Sequence, residues 1–215
     1  MLTIADVLSA EDVARVREGL AAAPFVSGKK TAGSAAKKVK QNEQADGSNA
    51  KVAALSKFVR QALERDPVFS LYARPARWSG VMFSRYHGGD EYGFHVDDPV
   101  MAGLRTDLSF TLFLSDPDTY EGGALLVDGL DGEREVKLAA GSVVLYPTGA
   151  LHRVTPVTSG ERLAAVGWVQ SLIRRADERE ILFDLGRTRA SLPDSDARLL
   201  LDKSIGNLVR LWGEP

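Results

Sequence analysis

The sequence predicts a β-dominated α+β fold, a jelly-roll type of sandwich or barrel with supporting helices at both ends. Three observations carry this. From Trp78 to Gln170 some eight short β-rich runs follow one another, broken by Gly, Pro and Asp, a texture typical of sandwiches and barrels. Helical periodicity replaces it on either side. The chain has 215 residues, 44% of them hydrophobic and 26% charged, enough for one domain with a sizeable core.

In chain order, Ser9 stands before Asp12, and Val13, Val16 and Leu20 follow at helical spacing. This predicts an N-cap and an amphipathic helix ending before Pro24. A second helix is expected from Asn49 to Asp66, with Val52, Leu55, Phe58, Val59, Ala62 and Leu63 in one stripe and Pro67 as the stop. Between them, Ser27 to Ser48 carries Lys29, Lys30, Lys37, Lys38 and Lys40 among small polar residues. It is expected to be a mobile loop, either a solvated connection or a lid over a site, since loops longer than about 12–15 residues are often functional or disordered.

The expected strands are Gly80–His87, Tyr92–Val96, Asp107–Leu114, Gly123–Val127, Glu135–Leu138, Ser142–Tyr146, His152–Thr155 and Arg162–Val169. Helices resume around Arg175–Leu185 and from Asp194 onward, where Leu208, Val209, Leu211 and Trp212 end an apolar stripe. The expected division is residues 1–77 as N-terminal helices and mobile loop packed on the core, 78–170 as the β core, and 171–215 as a C-terminal helical extension, all in a single overall domain.

Charge and cysteine content exclude several functions. Lys plus Arg number 27 against 29 Asp plus Glu, a net charge of −2, so the overall basic excess that tight sequence-independent nucleic-acid binding usually needs is missing, a local basic patch aside, and nucleic acid is not expected as a main partner. Without cysteine there is no disulfide framework, thiolate metal site, iron–sulfur cluster or cysteine nucleophile, and any metal must be held by imidazole and carboxylate. No apolar run nears the roughly 20 residues of a bilayer span, and the N-terminus lacks a basic segment followed by an apolar one. No membrane partner and a cytoplasmic location are expected.

His95-Val96-Asp97 falls in a probable strand, where alternation puts His95 and Asp97 on one side. Alone the pattern is weak, because a His beside acids is usually an ordinary surface or core residue. His152, well downstream at the end of a buried-looking strand, would complete a two-histidine, one-carboxylate facial triad. Such a triad leaves three octahedral positions open and is typical of non-haem Fe(II) oxygenases. Arg162 follows ten residues after His152. With a turn centred near Val157, the two would lie opposite one another on paired antiparallel strands and share a face. A guanidinium inside a barrel needs an anion, either an internal Asp or Glu or the carboxylate of a ligand.

With these residues in hand, the sequence resembles the Fe(II)- and 2-oxoglutarate-dependent dioxygenases of the prolyl-4-hydroxylase-like superfamily, and more closely the bacterial PKHD-type hydroxylases (the PiuC group). The likeness is carried by Tyr86 to Asp97, by Tyr120-Glu121-Gly122-Gly123, by Gly141-Ser142 through His152, and by Pro156 to Gly160-Glu161-Arg162. Val39 to Gln44 and the helical C-terminus extend it over nearly the full chain. Arg162 departs from the animal collagen-type enzymes, which typically have Lys there; both bind a carboxylate.

The resemblance implies a double-stranded β-helix (jelly-roll) catalytic core. It maps His95, Asp97 and His152 onto the iron ligands and Arg162 onto the residue that binds the distal carboxylate of 2-oxoglutarate. Tyr86 falls where members often place a tyrosine near the cosubstrate, although a packed barrel tyrosine fits equally, and Thr111 is a second candidate neighbour. The implied reaction hydroxylates a substrate with O2 and releases succinate and CO2, with L-ascorbate as a family-expected reductant. A small metabolite such as a siderophore and a peptidyl side chain are both implied as substrate. Monomer and homodimer both stay open. The rival expectation is a non-enzymatic, cupin-like metal sensor, against which Arg162 speaks. His87 is expected not to be a ligand, and Gly88-Gly89 and Gly122-Gly123 are expected to form tight turns rather than phosphate loops.

Overall fold

The computed structural model of the chain describes residues 1–31, 33, 36–129 and 132–214. In chain order it runs β1 (Leu2–Ile4), α1 (Ala10–Ala21), β2 (Phe25–Ser27), β3 (Lys40–Gln41), β4 (Glu43–Ala45), α2 (Ala50–Arg65), α3 (Pro67–Ala73), β5 (Pro75–Trp78), β6 (Met82–His87) and β7 (Glu91–His95). Then follow β8 (Val100–Met101), β9 (Leu104–Arg105), β10 (Leu108–Phe113), β11 (Tyr120–Gly122), β12 (Leu125–Gly129), β13 (Gly132–Val136), β14 (Val143–Pro147), β15 (His152–Val154), β16 (Val157–Ser171), α4 (Ala176–Ser191) and α5 (Asp196–Trp212). The fold is mixed α/β with two large antiparallel sheets. The larger runs β1-β14-β10-β16-β6-β4-β2, with β5 and β11 also paired to β16; the smaller runs β13-β12-β15-β7-β3.

Alternation along the strands of the larger sheet gives it two chemically different faces. Phe83, Phe110, Leu112, Val143, Leu145, Leu163 and Ala165 share a core with Val13, Val16 and Leu20 of α1, Val52, Val59 and Leu63 of α2 and Phe69 of α3. Phe69 stacks on Trp78 at 5.4 Å and meets Phe110 edge-on at 6.2 Å, contacts of about 0.5–1.5 kcal/mol each beyond burial. This pins the helical layer to one side. The intervening residues Ser84, Tyr86, Ser109, Thr111, Tyr146, Arg162 and Trp168 turn the other way and line a cavity.

The capping chemistry acts as the sequence predicts. Ser9 accepts from the Asp12 amide at 3.1 Å and Asn49 from the Lys51 amide at 2.9 Å, satisfying orphan donors of α1 and α2. Pro67 stops α2, yet it also begins α3, which the sequence did not reveal. Asp66 caps that helix, accepting from the Phe69 amide at 2.7 Å, and Pro at the first helical position lacks only a donor that would be unused.

Two expectations need correction. The segment from Ser27 to Ser48 is not a plain loop: it holds short 3-10 turns and the strands β3 and β4, while residues 32, 34 and 35 lie outside the described set. β3 pairs with β7 and β4 with β6, so residues 1–77 add strands to both sheets as well as helices. Lys40, Asn42 and Gln44 are all buried, and Lys40 and Gln44 line the polar cavity; their polarity hid the strands. The second correction concerns His152 and Arg162, which are not cross-strand partners. β15 already has β12 and β7 on its two edges. The chain therefore crosses to the larger sheet after Pro156, and β16 pairs with β6, β10, β11 and β5.

α5 packs on α4, and none of its residues is buried. Among the described residues no helix is long and apolar enough to cross a membrane.

Candidate active site

His95 and His152 are direct partners where β7 pairs with β15, which sets their rings 4.2 Å apart. Each Nδ1 lies against a backbone carbonyl, Gly93 O at 2.8 Å and Ala150 O at 2.9 Å. A carbonyl only accepts, so each Nδ1 carries the proton and each Nε2 keeps its lone pair. Those two atoms face Asp97, at 3.8 Å from Oδ1 for His95 and 3.7 Å from Oδ2 for His152. All three donor atoms lie within 4.8 Å of one another.

Asp97 lies just beyond the end of β7, and its Oδ2 accepts from Ser109 Oγ and from Trp168 Nε1, each at 2.8 Å. Oδ1 takes neither of these donors and lies towards His95. Burial, and then the neighbouring His152, holds His95 down at about 4, so the imidazole is neutral as a metal ligand requires. Tyr92 stacks on His95 at 3.5 Å, and the Lys40 ammonium lies 5.0 Å from the Tyr92 ring centre. Burial lowers Lys40 to about 8 and raises the Tyr92 phenol.

The same cavity, about 730 Å³ in volume, receives Arg162, Tyr86 and Thr111. Arg162 is 1% exposed and sits in register with Tyr86, its guanidinium 5.2 Å from the Tyr86 ring and 5.4 Å from Phe113. Among the described residues no carboxylate forms an ion pair with it, and its buried Nε has no partner. Among the described residues, then, no internal acid explains this arginine. Tyr86 is buried, which pushes its phenol up. Thr111 is buried as well, beside Tyr146. His87 lies outside the cavity, half exposed and 3.3 Å from Glu43.

Gly122 and Gly123 form a turn with φ of +69° and +62°. A Cβ on Gly123 would meet Val157 Cγ2 at 2.8 Å and Arg162 Cδ at 3.0 Å, so the glycine pair lets β11 pass close under the arginine. Lys40, Tyr92, Ser109, Tyr146 and Trp168 also line the cavity and were not singled out from sequence. Counting in twos from Arg162 reaches Trp168, and from Thr111 reaches Ser109; for Lys40 no comparable signal exists.

Residues 81–170 match the family profile described as the 2OG-Fe(II) oxygenase superfamily. The PKHD-type hydroxylase of Maricaulis maris (strain MCS10) is 48% identical over 218 residues, spanning 100% of this chain and 99% of that relative. This chain belongs to the PKHD-type hydroxylases. A PKHD-type hydroxylase from Acaryochloris marina (strain MBIC 11017) is likewise 48% identical over 221 residues, with full coverage of both chains. As a member, the protein is a non-haem iron, 2-oxoglutarate-dependent oxygenase, and its His-Asp-His cluster suits that class.

Solved structures share the fold of this PKHD-type hydroxylase. A Pseudomonas putida prolyl-4-hydroxylase superposes with a TM-score of 0.54 at 23% identity, covering 79% of this chain and 91% of that one. HygX from Streptomyces hygroscopicus, solved with nickel and 2-oxoglutarate, gives 0.55 at 15% identity, covering 80% and 83%.

Proposed function

We propose that the two sheets form a double-stranded β-helix (jelly-roll) in which His95, Asp97 and His152 hold Fe(II). Arg162 anchors the distal carboxylate of 2-oxoglutarate, with Tyr86 and Thr111 beside it. The protein hydroxylates a substrate, a small metabolite such as a siderophore or a peptidyl side chain, with release of succinate and CO2. Ascorbate serves as the reductant that restores oxidised iron, as the family resemblance implies.

One observation carries this: two imidazole lone pairs and one carboxylate oxygen face a common point, while every other polar atom of those side chains is committed elsewhere. Both Nδ1 atoms donate to carbonyls and Asp97 Oδ2 accepts two donors. Such outer hydrogen bonds fix ligand orientation and tautomer, and the donor set suits a ferrous ion with open positions. Bound there, Fe(II) with 2-oxoglutarate supplies dioxygen activation and C–H oxidation.

The chain's own residues bind and orient. Arg162 has a planar fork matched to a carboxylate and is buried beside the Tyr86 and Phe113 rings, where a charge-assisted pair is strong. The Tyr86 hydroxyl, kept protonated by burial, donates towards the cosubstrate. Trp168 and Ser109 hold Asp97 and keep its second oxygen from drifting. The keto-acid-free metal sensor is disfavoured because it leaves a fully buried arginine with no anion.

Anaerobic crystallisation with Mn(II) and 2-oxoglutarate tests the assignment. The expected result is metal on His95, Asp97 and His152 and a carboxylate on Arg162. Metal bound elsewhere, or a keto acid that does not reach Arg162, overturns it.

A further inference from the structure

A buried guanidinium that binds an anion must be aimed before the anion arrives. Arg162 has an unpartnered Nε among the described residues, and Tyr86 and Phe113 stand beside it with their rings. A third aromatic neighbour, Tyr120 on β11, brings a hydroxyl group that neither the metal site nor the cosubstrate assignment uses.

Tyr120 stands opposite Gly160 where β11 pairs with β16. Arg162 lies two residues farther along β16, the diagonal neighbour of the tyrosine and within reach of a long side chain. The turn at Gly123 fixes how close they come. A Cβ on that glycine would stand 3.0 Å from both Tyr120 Cε2 and Arg162 Cδ, and Cε2 adjoins the ring carbon that carries the hydroxyl. Lys137 steadies the tyrosine, with Nζ 4.1 Å from the ring centre and a 2.7 Å hydrogen bond donated to the Tyr120 carbonyl.

The Tyr120 hydroxyl is buried, and among the described residues it too has no hydrogen-bond partner. The charge that acts on it is Arg162. Two buried polar groups left unpaired are costly, and these two are complementary: a phenolic oxygen can accept, whereas guanidinium N–H groups only donate. Arg162 lines the cavity and Tyr120 does not, so the tyrosine acts from behind the arginine.

We propose that Tyr120 is a positioning residue of the cosubstrate site: its hydroxyl accepts from the Arg162 guanidinium and holds the fork towards the cavity. The distal carboxylate of 2-oxoglutarate then meets a cation already in place, which spares the cost of ordering that side chain on binding. The inference rests on the role assigned to Arg162 above.

The test uses the full chain, anaerobic and loaded with Fe(II), and follows the visible band of the ferrous keto-acid complex. Two keto acids are titrated separately, 2-oxoglutarate and 2-oxopentanoate, which has the same chain length but no distal carboxylate. Tyr120→Phe keeps the ring and removes the hydroxyl. It should weaken 2-oxoglutarate about three- to tenfold and leave 2-oxopentanoate within about twofold. In an Arg162→Ala background the same change should add less than about twofold, since the hydroxyl has lost what it holds. Unchanged 2-oxoglutarate affinity in Tyr120→Phe, an equal loss for both keto acids, or the full loss again without Arg162 overturns the proposal. If Tyr120→Phe does not fold, the wild-type complex with Mn(II) and 2-oxoglutarate decides. There the Tyr120 hydroxyl should lie within hydrogen-bond reach of the guanidinium, and a hydroxyl beyond that reach overturns the proposal. A wild type that never develops the band overturns the iron and keto-acid assignment itself, an outcome distinct from a band that ignores the loss of the hydroxyl.

Discussion

Trp168 Nε1 donates a 2.8 Å hydrogen bond to Asp97 Oδ2, tying the end of β16 to the second residue beyond β7 from 71 positions away. Ser109 on β10 donates to the same oxygen. The two sheets therefore meet at the one carboxylate of the triad, and its orientation is set by the larger sheet while its histidine partners belong to the smaller.

Because outer hydrogen bonds of this kind typically contribute 10- to 100-fold to metal affinity, Trp168→Phe and Ser109→Ala should each weaken Mn(II) or Fe(II) binding by about that factor. Calorimetric or fluorescence titration of the metal reads this directly. Unchanged affinity in both variants would show that Asp97 is held by its backbone alone.

Asp97→Ala or His152→Ala should abolish substrate-free conversion of 2-oxoglutarate to succinate, since either leaves an ion with two protein donors. Succinate assays under air decide it. Near-normal turnover in either variant would refute the ligand assignment.

Arg162→Ala should chiefly raise the 2-oxoglutarate requirement. Losing one partner of a charge-assisted pair costs about 1.5–3 kcal/mol, or roughly 10- to 150-fold in apparent affinity. Arg162→Lys, which keeps the charge but not the fork, should recover part of the loss. A titration that superposes on the wild type would discredit the role.

His95 titrates at about 4 in the folded chain against an ordinary 6.5, because of burial and then His152. Between those values the unfolded chain holds a proton that the folded chain does not, so stability rises with pH there. The metal-free protein should thus lose stability progressively as pH falls from about 6.5 towards 4, whereas protons should compete with metal at the folded His95 only as pH nears the lower value. Thermal melts of the metal-free protein across that range, compared with His95→Gln, provide the check. The variant should show the shallower slope.

What the sequence discloses depends on which chemistry each residue faces. His95, Asp97, His152 and Arg162 could be singled out because the triad's donor types survive without coordinates, although Asp97 lies beyond β7 rather than alternating within it and Arg162 is not opposite His152, and Ser9 and Asn49 mark helix starts through their own side chains. Lys40 and Gln44 line a polar cavity, so β3 and β4 carry no apolar alternation and look like loop. Pro67 gives the same signal whether it ends one helix or begins the next. The pairing of His152 with His95 instead of with a strand after Val157 is a matter of which sheet edges are already occupied, which local spacing does not encode.

Gly123 connects the turn chemistry to the cosubstrate. Its φ of +62° lies in the left-handed region, where a side chain costs about 1–2 kcal/mol. An added Cβ would also stand 2.8 Å from Val157 Cγ2 and 3.0 Å from Arg162 Cδ. Neighbours this close must give way, and the arginine is the one whose displacement is felt at the ligand. Gly123→Ala should therefore both lower the melting temperature and raise the 2-oxoglutarate requirement. Gly47→Ala, where a Cβ meets nothing within 4 Å, should do neither. If Gly123→Ala is destabilised but binds 2-oxoglutarate as the wild type does, the turn supports the fold without positioning Arg162.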